Sequence, residues 1–383
     1  MKRIATPPIT RSVECGAGMA ALKSTRIVYV APAPGGSGVG DYAVDFASAL
    51  VPHVGDLVQV QVAESHNATL RAVAREARRI RRLVDGYRRD GPTIVHFEQS
   101  GASLVPFWAA MMAPEIPVTA TIHDPPQPVW WPFASRTVLR SRWLHHGLHY
   151  PLRPLSTVLQ RRMADGRVLM TLTSVGAEET ERRLRGTSVV TSRHFIPARP
   201  TLPPLTDRPL AVGLFGYLYK AKGFDGLARL RATLDDDVDI VVAGRGTEAL
   251  PTVPGVRVLG EVNGTDEDDF FARIRCLLVP YAKNTLYGPV YAASGTVSRA
   301  FAYGTPCICS PEGALSEVAA EGGAVAVEGG VEALARRAGD IVRNSHDLNT
   351  LAEQIDVLKI DRSVTNCAVP LLNAWAPIAL ELT

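Results

Sequence analysis

Strand-length apolar runs alternate with helix-length segments along most of this chain, and the alternation breaks only once before it starts again. "RIVYVAP" (26–32), "LVQVQVA" (57–63), "TIVHFEQ" (93–99), "VTATIHD" (118–124) and "VLMTLTS" (168–174) read as strands. Helical segments from Asp41 to Leu50, over 69–89 and around Ala177–Leu184 fall between or after them. Apolar runs of this kind suit strands covered on both faces, and an intervening helix returns the chain for parallel pairing. "PARPTLPPLTDRP" (197–209) is dense in proline and reads as a linker. The pattern then resumes with "LAVGLFGYL" (210–218), a helix near 223–234, "DIVVAGRG" (239–246), "VRVLGEV" (256–262), "CLLVPYA" (276–282), a helix over 296–303 and "PCICSP" (306–311). The expected fold class is α/β, with two Rossmann-like, doubly wound parallel-sheet domains. Ligands of such sheets sit outside the carboxyl ends of the strands, so two facing halves put the site in a cleft between them. The expected boundaries are a flexible tail over 1–24, a first domain over 25–200, a second over 201–360 and an apolar helix over 361–383 that packs back on the first domain.

Composition narrows the function classes. No run of about 18 apolar residues occurs, which excludes a membrane-spanning helix. The first residues lack a continuous apolar segment, so a secretory signal is not expected. The five cysteines, Cys15, Cys276, Cys307, Cys309 and Cys367, are scattered without zinc spacing, which fits a reducing cytoplasm. The net charge of +3 is split, with +10 over residues 1–200 and −7 over 201–383, so the halves should meet different partners. No metal site is expected, because "DEDD" (266–269) and "DDD" (235–237) read as solvated turns.

Phosphate-type signals sit in both halves. "APAPGGSGVGDYA" follows the first strand, and Gly36, Gly38 and Gly40 let a backbone approach an anion at a helix N-terminus. It fits neither the dinucleotide fingerprint nor the P-loop, and a tight turn without a ligand is the competing reading. In the second half, Gly216 ends a strand and Lys222 precedes a helix, where a lysine can meet phosphate as a point charge. Arg245 lies in the next strand-end loop, and Ser294, Gly295 and Thr296 open the helix that carries Arg299. A hydroxyl there can cap the helix while its first amides hold a diphosphate.

In their order, "GGSGVGDYA", "TIVHFEQ", "TIHD", "GYLYKAKGFDGL", "IVVAGRG" and "SGTVSRAFAYGTPCICSPEGALSEVA" resemble retaining, nucleotide-sugar-dependent glycosyltransferases of the GT-B fold, family-four type. The resemblance implies an acceptor domain followed by a domain for a nucleoside-diphosphate sugar such as a UDP- or GDP-sugar, with no other cofactor and no metal. It places His123, Asp124 and Lys222 at the reacting centre, and Gly216, Tyr217, Lys222, Arg245, Ser294–Thr296 and Arg299 on the donor. Asp41 and Glu98 are candidate acceptor ligands. Two family glutamates fall here on Tyr291 and Arg299, and a family arginine falls on Tyr217, so the chain resembles a subgroup that arranges sugar and ribose recognition differently. A binding subunit without turnover and a sugar-nucleotide epimerase are the other readings.

Eight arginines lie in "RAVAREARRIRRLVDGYRRD" (71–90), and "WWPF" (130–133) and "RSRWLHHGLHYPLRPLSTVLQRRM" (140–163) add aromatics among further cations. Such surfaces fit anionic lipid headgroups and a carbohydrate or lipid-linked acceptor at the inner face of a membrane. Nucleic acid fits less well, because the acidic second half offsets the charge.

Overall fold

The computed structural model describes residues 16–63, 68–281 and 288–383, so Cys15 and most of the expected tail lie outside the described residues. Two compact units form, one from the described residues up to Arg193 together with Val364–Thr383, the other from His194–Ser363.

The first unit is a six-stranded sheet in the order β2-β1-β3-β4-β5-β6, with every pairing parallel. Its strands are β1 (Arg26–Pro32), β2 (Asp56–Val62), β3 (Thr93–Gln99), β4 (Val118–Ile122), β5 (Val168–Thr171) and β6 (Ser188–Thr191). Helices α1 (Gly38–Leu50), α2 (Leu70–Arg89), α3 (Leu104–Met111), α4 (Arg136–Leu139), α5 (Arg142–Ala164) and α6 (Ser174–Arg183) make the crossovers. β3 is buried along its whole length, as a central parallel strand is, and this takes His96, Glu98 and Gln99 into the interior with Ile94, Val95 and Phe97. Val73, Ala77, Ile80 and Val84 of α2 fall at helical spacing and join Phe97 and Phe107 in one core. Each of these except Ala77 contributes about 1.5–3 kcal/mol by leaving water.

The second unit repeats the architecture in the order β12-β11-β10-β7-β8-β9, again with every pairing parallel. Its strands are β7 (Ala211–Phe215), β8 (Asp239–Ala243), β9 (Val256–Val258), β10 (Cys276–Val279), β11 (Cys307–Cys309) and β12 (Ala324–Ala326). Helices α7 (Leu227–Thr233), α8 (Thr265–Ala272), α9 (Gly295–Ala302), α10 (Leu315–Glu321), α11 (Gly330–Arg343) and α12 (Ser345–Asp361) cover it. The chain starts at β7, runs to β8 and β9 on one side, then reverses to β10 on the other. The gap between β7 and β10 is therefore the switch point, where the connecting loops part and leave room for a ligand.

Several expectations change. Residues 16–22 are helical and Leu22 is fully buried, so the end of the expected tail belongs to the first unit. The proline-dense stretch is not a loose linker, because Leu205 joins the core of the second unit and Arg208 is buried. The Arg208 guanidinium donates to Pro203 O at 2.9 Å, Phe271 O at 3.1 Å, Tyr303 O at 3.1 Å and Thr305 Oγ1 at 2.9 Å. Burial without a carboxylate pushes its pKa down to about 10. Helix α13 (Val364–Leu382) returns to the first unit, where Trp375 is fully buried and donates to Thr119 Oγ1 at 2.9 Å.

Candidate functional site

The second unit gathers its candidates at the switch point. Gly216 follows β7 directly at φ +126°, and a Cβ there would lie 3.0 Å from Thr296 Oγ1. Only glycine lets the strand end press so close to the start of α9. Ser294 caps that helix, its Oγ accepting from Val297 N at 3.3 Å, and by helix geometry the amides of Gly295 and Thr296 have no carbonyl partner within α9. The Lys222 ammonium donates to Thr296 Oγ1 at 3.3 Å and to Tyr281 Oη, and Tyr281 Oη meets Ser294 Oγ at 2.9 Å. Lys222 Nζ also sits 3.9 Å from the centroid of the Tyr281 ring and 5.5 Å from that of Tyr219. Burial alone would lower the Lys222 pKa, but Tyr281 and then Tyr219 more than offset this, so the amine is held charged. A fixed cation, three hydroxyls and a helix N-terminus thus converge at one strand end, an arrangement suited to a multiply charged anion.

Sequence reasoning missed Tyr281 and Tyr219. The only signal for Tyr281 was a hydroxyl-bearing aromatic directly after a buried strand. His194 was missed as well. Its Nδ1 donates to Phe195 O at 2.9 Å, and its Nε2 lies 3.8 Å from where a Cβ on Gly295 would stand. Beside Tyr219 opens a cavity of about 380 Å³, lined mainly by apolar groups such as Leu218, Phe224, Leu250 and Val253.

Other expected donor ligands are engaged elsewhere. Arg299 donates to both carboxylate oxygens of the buried Glu267, at 3.0 and 2.8 Å, and Tyr303 Oη donates to the same carboxylate at 2.9 Å. Its position on α9 turns it toward α8, so it neutralises a buried acid rather than facing the strand ends. Arg245 pairs with Glu261 at 2.6 Å and lies over the Tyr217 ring, 5.1 Å from the centroid, so these two candidates pack on each other at the exposed rim.

In the first unit the glycine loop is closed by its own side chains. Ser37 Oγ accepts from Gly40 N at 3.3 Å, and Asp41 Oδ1 accepts from Gly35 N at 2.8 Å. Asp41, expected as an acceptor ligand, braces the turn here, and its carboxylate occupies the positive end of α1. Gly40 is required because a Cβ would collide with the Ala33 carbonyl. Gly36 and Gly38 lie in the same turn, which has the features of the tight strand-to-helix connection considered as the competing reading.

At the ends of β3 and β4 stands a buried polar network. Glu98, expected as an acceptor ligand, is fully buried and takes its hydrogen bonds from side chains of the first unit. Its oxygens take His123 Nε2 at 2.5 Å, His96 Nε2 at 3.3 Å and the Tyr29 hydroxyl. His96 is wedged between Thr119 Oγ1 at 2.8 Å and Thr121 Oγ1 at 2.9 Å. The carboxylate can only accept, so Nε2 of His123 carries a proton toward Glu98 and Nδ1 is left on the other side of the ring. Tyr42 supports that ring edge-on, with centroids 5.0 Å apart. Asp124, just beyond, accepts from Gly101 N at 2.6 Å, and burial raises its carboxyl pKa. It braces the loop after β3.

Burial by itself would raise the Glu98 pKa, but the bonds and charges of His123 and His96 outweigh it and bring it from 4.5 to about 2. Because the folded value is depressed, the stabilisation is present above pH 4.5 and is lost as pH falls toward 2, and it amounts to about 3 kcal/mol. Urea unfolding of the wild type and of Glu98→Gln, followed from neutral to acid pH, should show a stability gap that closes below pH 4.5. A gap that stays constant through that range would contradict the assignment.

Residues 209–344 match the family model described as "Glycosyl transferases group 1", a segment that includes Gly216, Lys222 and Ser294–Thr296. No curated protein sequence matches the chain. Among solved structures, Anabaena HepE in complex with UDP-glucose is similar with a TM-score of 0.60 at 12% identity, covering 93% of this chain and 99% of that one. WaaG, a glycosyltransferase involved in lipopolysaccharide biosynthesis, gives a TM-score of 0.60 at 14% identity, with 91% and 99% covered. AviGT4, a glycosyltransferase involved in avilamycin A biosynthesis, gives 0.54 at 13% identity, with 92% and 98% covered. With two six-stranded parallel sheets in tandem, the chain has the two-domain α/β fold of GT-B glycosyltransferase structures.

Proposed function

We propose that this protein transfers a sugar from a nucleoside-diphosphate donor to an acceptor hydroxyl, with the second unit holding the donor and the first the acceptor. The observation that carries the reading is the cluster of Lys222, Tyr281, Ser294 and Thr296 at the β7–β10 switch point. As the bond from the sugar anomeric carbon to the diphosphate breaks, negative charge grows on the leaving phosphate oxygen. Lys222, the Thr296 hydroxyl and the first amides of α9 are fixed beforehand where they can stabilise it. The leaving oxygen takes the proton of the acceptor hydroxyl while that hydroxyl oxygen bonds to the anomeric carbon on the same face, which gives retention without a metal. His123, its Nε2 bonded to Glu98, offers Nδ1 to a sugar hydroxyl. A uridine diphosphate is the preferred donor head, since HepE, with the same fold, binds UDP-glucose.

A second reading, donor binding without turnover, draws on Arg299, which stands where the family resemblance expects a carboxylate and is bound to Glu267 instead. A thermal-shift series with UDP, GDP, ADP and their sugars, coupled to an assay for released nucleotide, separates the two. A ligand at about 100 times its Kd adds about 2.7 kcal/mol to the folded state. Thr296→Ala should weaken the stabilising nucleotide about tenfold, the cost of one hydrogen bond to a charged group. Stabilisation with slow donor hydrolysis supports transfer, and stabilisation without hydrolysis supports the binding reading. No response to any nucleotide would sink both.

A further inference from the structure

Helix α5 is inside out. Its buried positions are His145, His149, Ser156, Gln160, Met163 and Ala164, polar in four of the six, with the two apolar ones at its C-terminal end. Its outward positions are Trp143, Leu144, Leu148, Tyr150, Leu155 and Val158, with Trp143 92% exposed, Val158 59% and Tyr150 57%. At 3.6 residues per turn these six fall in one arc of about 160°. A helix of a globular protein normally turns its apolar arc to the core, and large exposed apolar patches mark interaction surfaces. The described residues leave this one without cover.

Charge indicates what covers it. Between Asp124 and Asp165 the chain has no aspartate or glutamate, while Arg136, Arg140, Arg142, Arg153, Arg161 and Arg162 flank or interrupt the apolar face. The exposed arginines 140 and 142 stand at one end of the helix and 161 and 162 at the other. Arg136 N donates to Ala68 O at 3.0 Å, which joins this segment to the start of α2 and its exposed Arg71, Arg75, Arg78 and Arg82. A second copy seated symmetrically on the face would bring the same arginines against each other. A layer of anionic headgroups brings the opposite charge to the arginines and accepts an apolar arc with an exposed tryptophan at the interface.

We propose that α5 is a membrane-docking helix, which lies in the surface of an anionic lipid bilayer with Trp143, Leu144 and Val158 below the headgroups and the flanking arginines among them. α2 adds long-range attraction. The docking is peripheral, since no described helix is long and apolar enough to cross a membrane. The proposal makes no use of the nucleotide cluster, so it and the transferase reading can fail separately.

The test is flotation of the full-length chain with vesicles of phosphatidylcholine alone and of phosphatidylcholine mixed with phosphatidylglycerol, together with tryptophan emission. Binding at least about tenfold stronger to the anionic vesicles, weakened by salt and accompanied by a blue shift, is expected. Trp143→Ser with Val158→Ser should abolish the blue shift and most of the binding, and Arg161→Gln with Arg162→Gln should remove the preference for charge. These positions are exposed, so unchanged thermal unfolding confirms that the variants fold. Equal binding to both vesicle types, no binding to either, or binding unaffected by the serine variant would each overturn the proposal. Self-association lost in the serine variant, without vesicle binding, would overturn it in favour of a second copy.

Discussion

Lys222→Ala should lower kcat/KM for sugar transfer by about 10²–10³-fold, the loss found when one fixed donor to a developing oxyanion is removed. The geometry argues for the upper part of that range. Lys222 is half-buried, and Thr296 and Tyr281 hold its amine in place before any ligand arrives, so little reorganisation is left for the reaction itself. Lys222→Arg should not restore activity, because the amine occupies a space bounded by the Tyr281 ring at 3.9 Å and the Thr296 hydroxyl at 3.3 Å, where a planar guanidinium does not fit. Tyr281→Phe keeps the ring under the cation and loses the hydroxyl, so its deficit should be smaller and fall mainly on kcat, as expected of a residue that positions Lys222. Steady-state kinetics with a UDP-sugar would check this. An alanine variant that keeps kcat/KM within a factor of about three, with its fold intact, would remove Lys222 from the mechanism.

The largest expected loss of stability belongs to Arg208→Ala, at about 3–4 kcal/mol. This guanidinium ties the segment that enters the second unit to the ends of α8 and α9 through the carbonyls of Phe271, Ile274 and Tyr303 and through Thr305, and it also holds Pro203 O within the segment. Truncation leaves those acceptors buried without a donor and opens a void beneath Leu205 and Phe271. Lysine at the same place can reach only some of the acceptors, so Arg208→Lys should recover part of the loss. Urea unfolding of the three proteins measures the series. A midpoint unchanged in the alanine variant would mean that the carbonyls find water or new partners. Nucleotide binding by the surviving folded fraction should remain, since Arg208 does not touch the Lys222 cluster.

These two residues also mark what one dimension shows and what it hides. The alternation of apolar runs with helical segments was enough for the two parallel sheets, because parallel strands are covered on both faces and their apolar runs are local. The meeting of Lys222 and Thr296 was legible for a related reason, since a strand-end loop and a helix start that follow neighbouring strands lie at the same edge of the sheet. Partnerships between distant side chains were not legible. Glu98 looks like a free carboxylate until β1 and β4 bring Tyr29 and His123 to it. Arg299 looks like a cation available to a donor until α8 supplies Glu267. The proline-dense stretch looks like a linker because proline is common in linkers, yet Arg208 within it is a fixed point of the second unit. In α5 the periodicity was present but pointed outward, and composition cannot say which arc of a helix faces solvent.

The return of α13 to the first unit orders the birth of the molecule. A ribosome delivers all six strands of the first sheet before it begins the second unit, yet Trp375, which bonds Thr119, lies 256 residues farther along. Throughout that interval the sheet surface under α13 and beside the His96 ring has no cover. The second unit is continuous from His194 to Ser363, so its whole sequence is delivered before that of the first is complete. The first unit is therefore completed after the second, and the His96 side of its buried carboxylate network is covered only when α13 has been made.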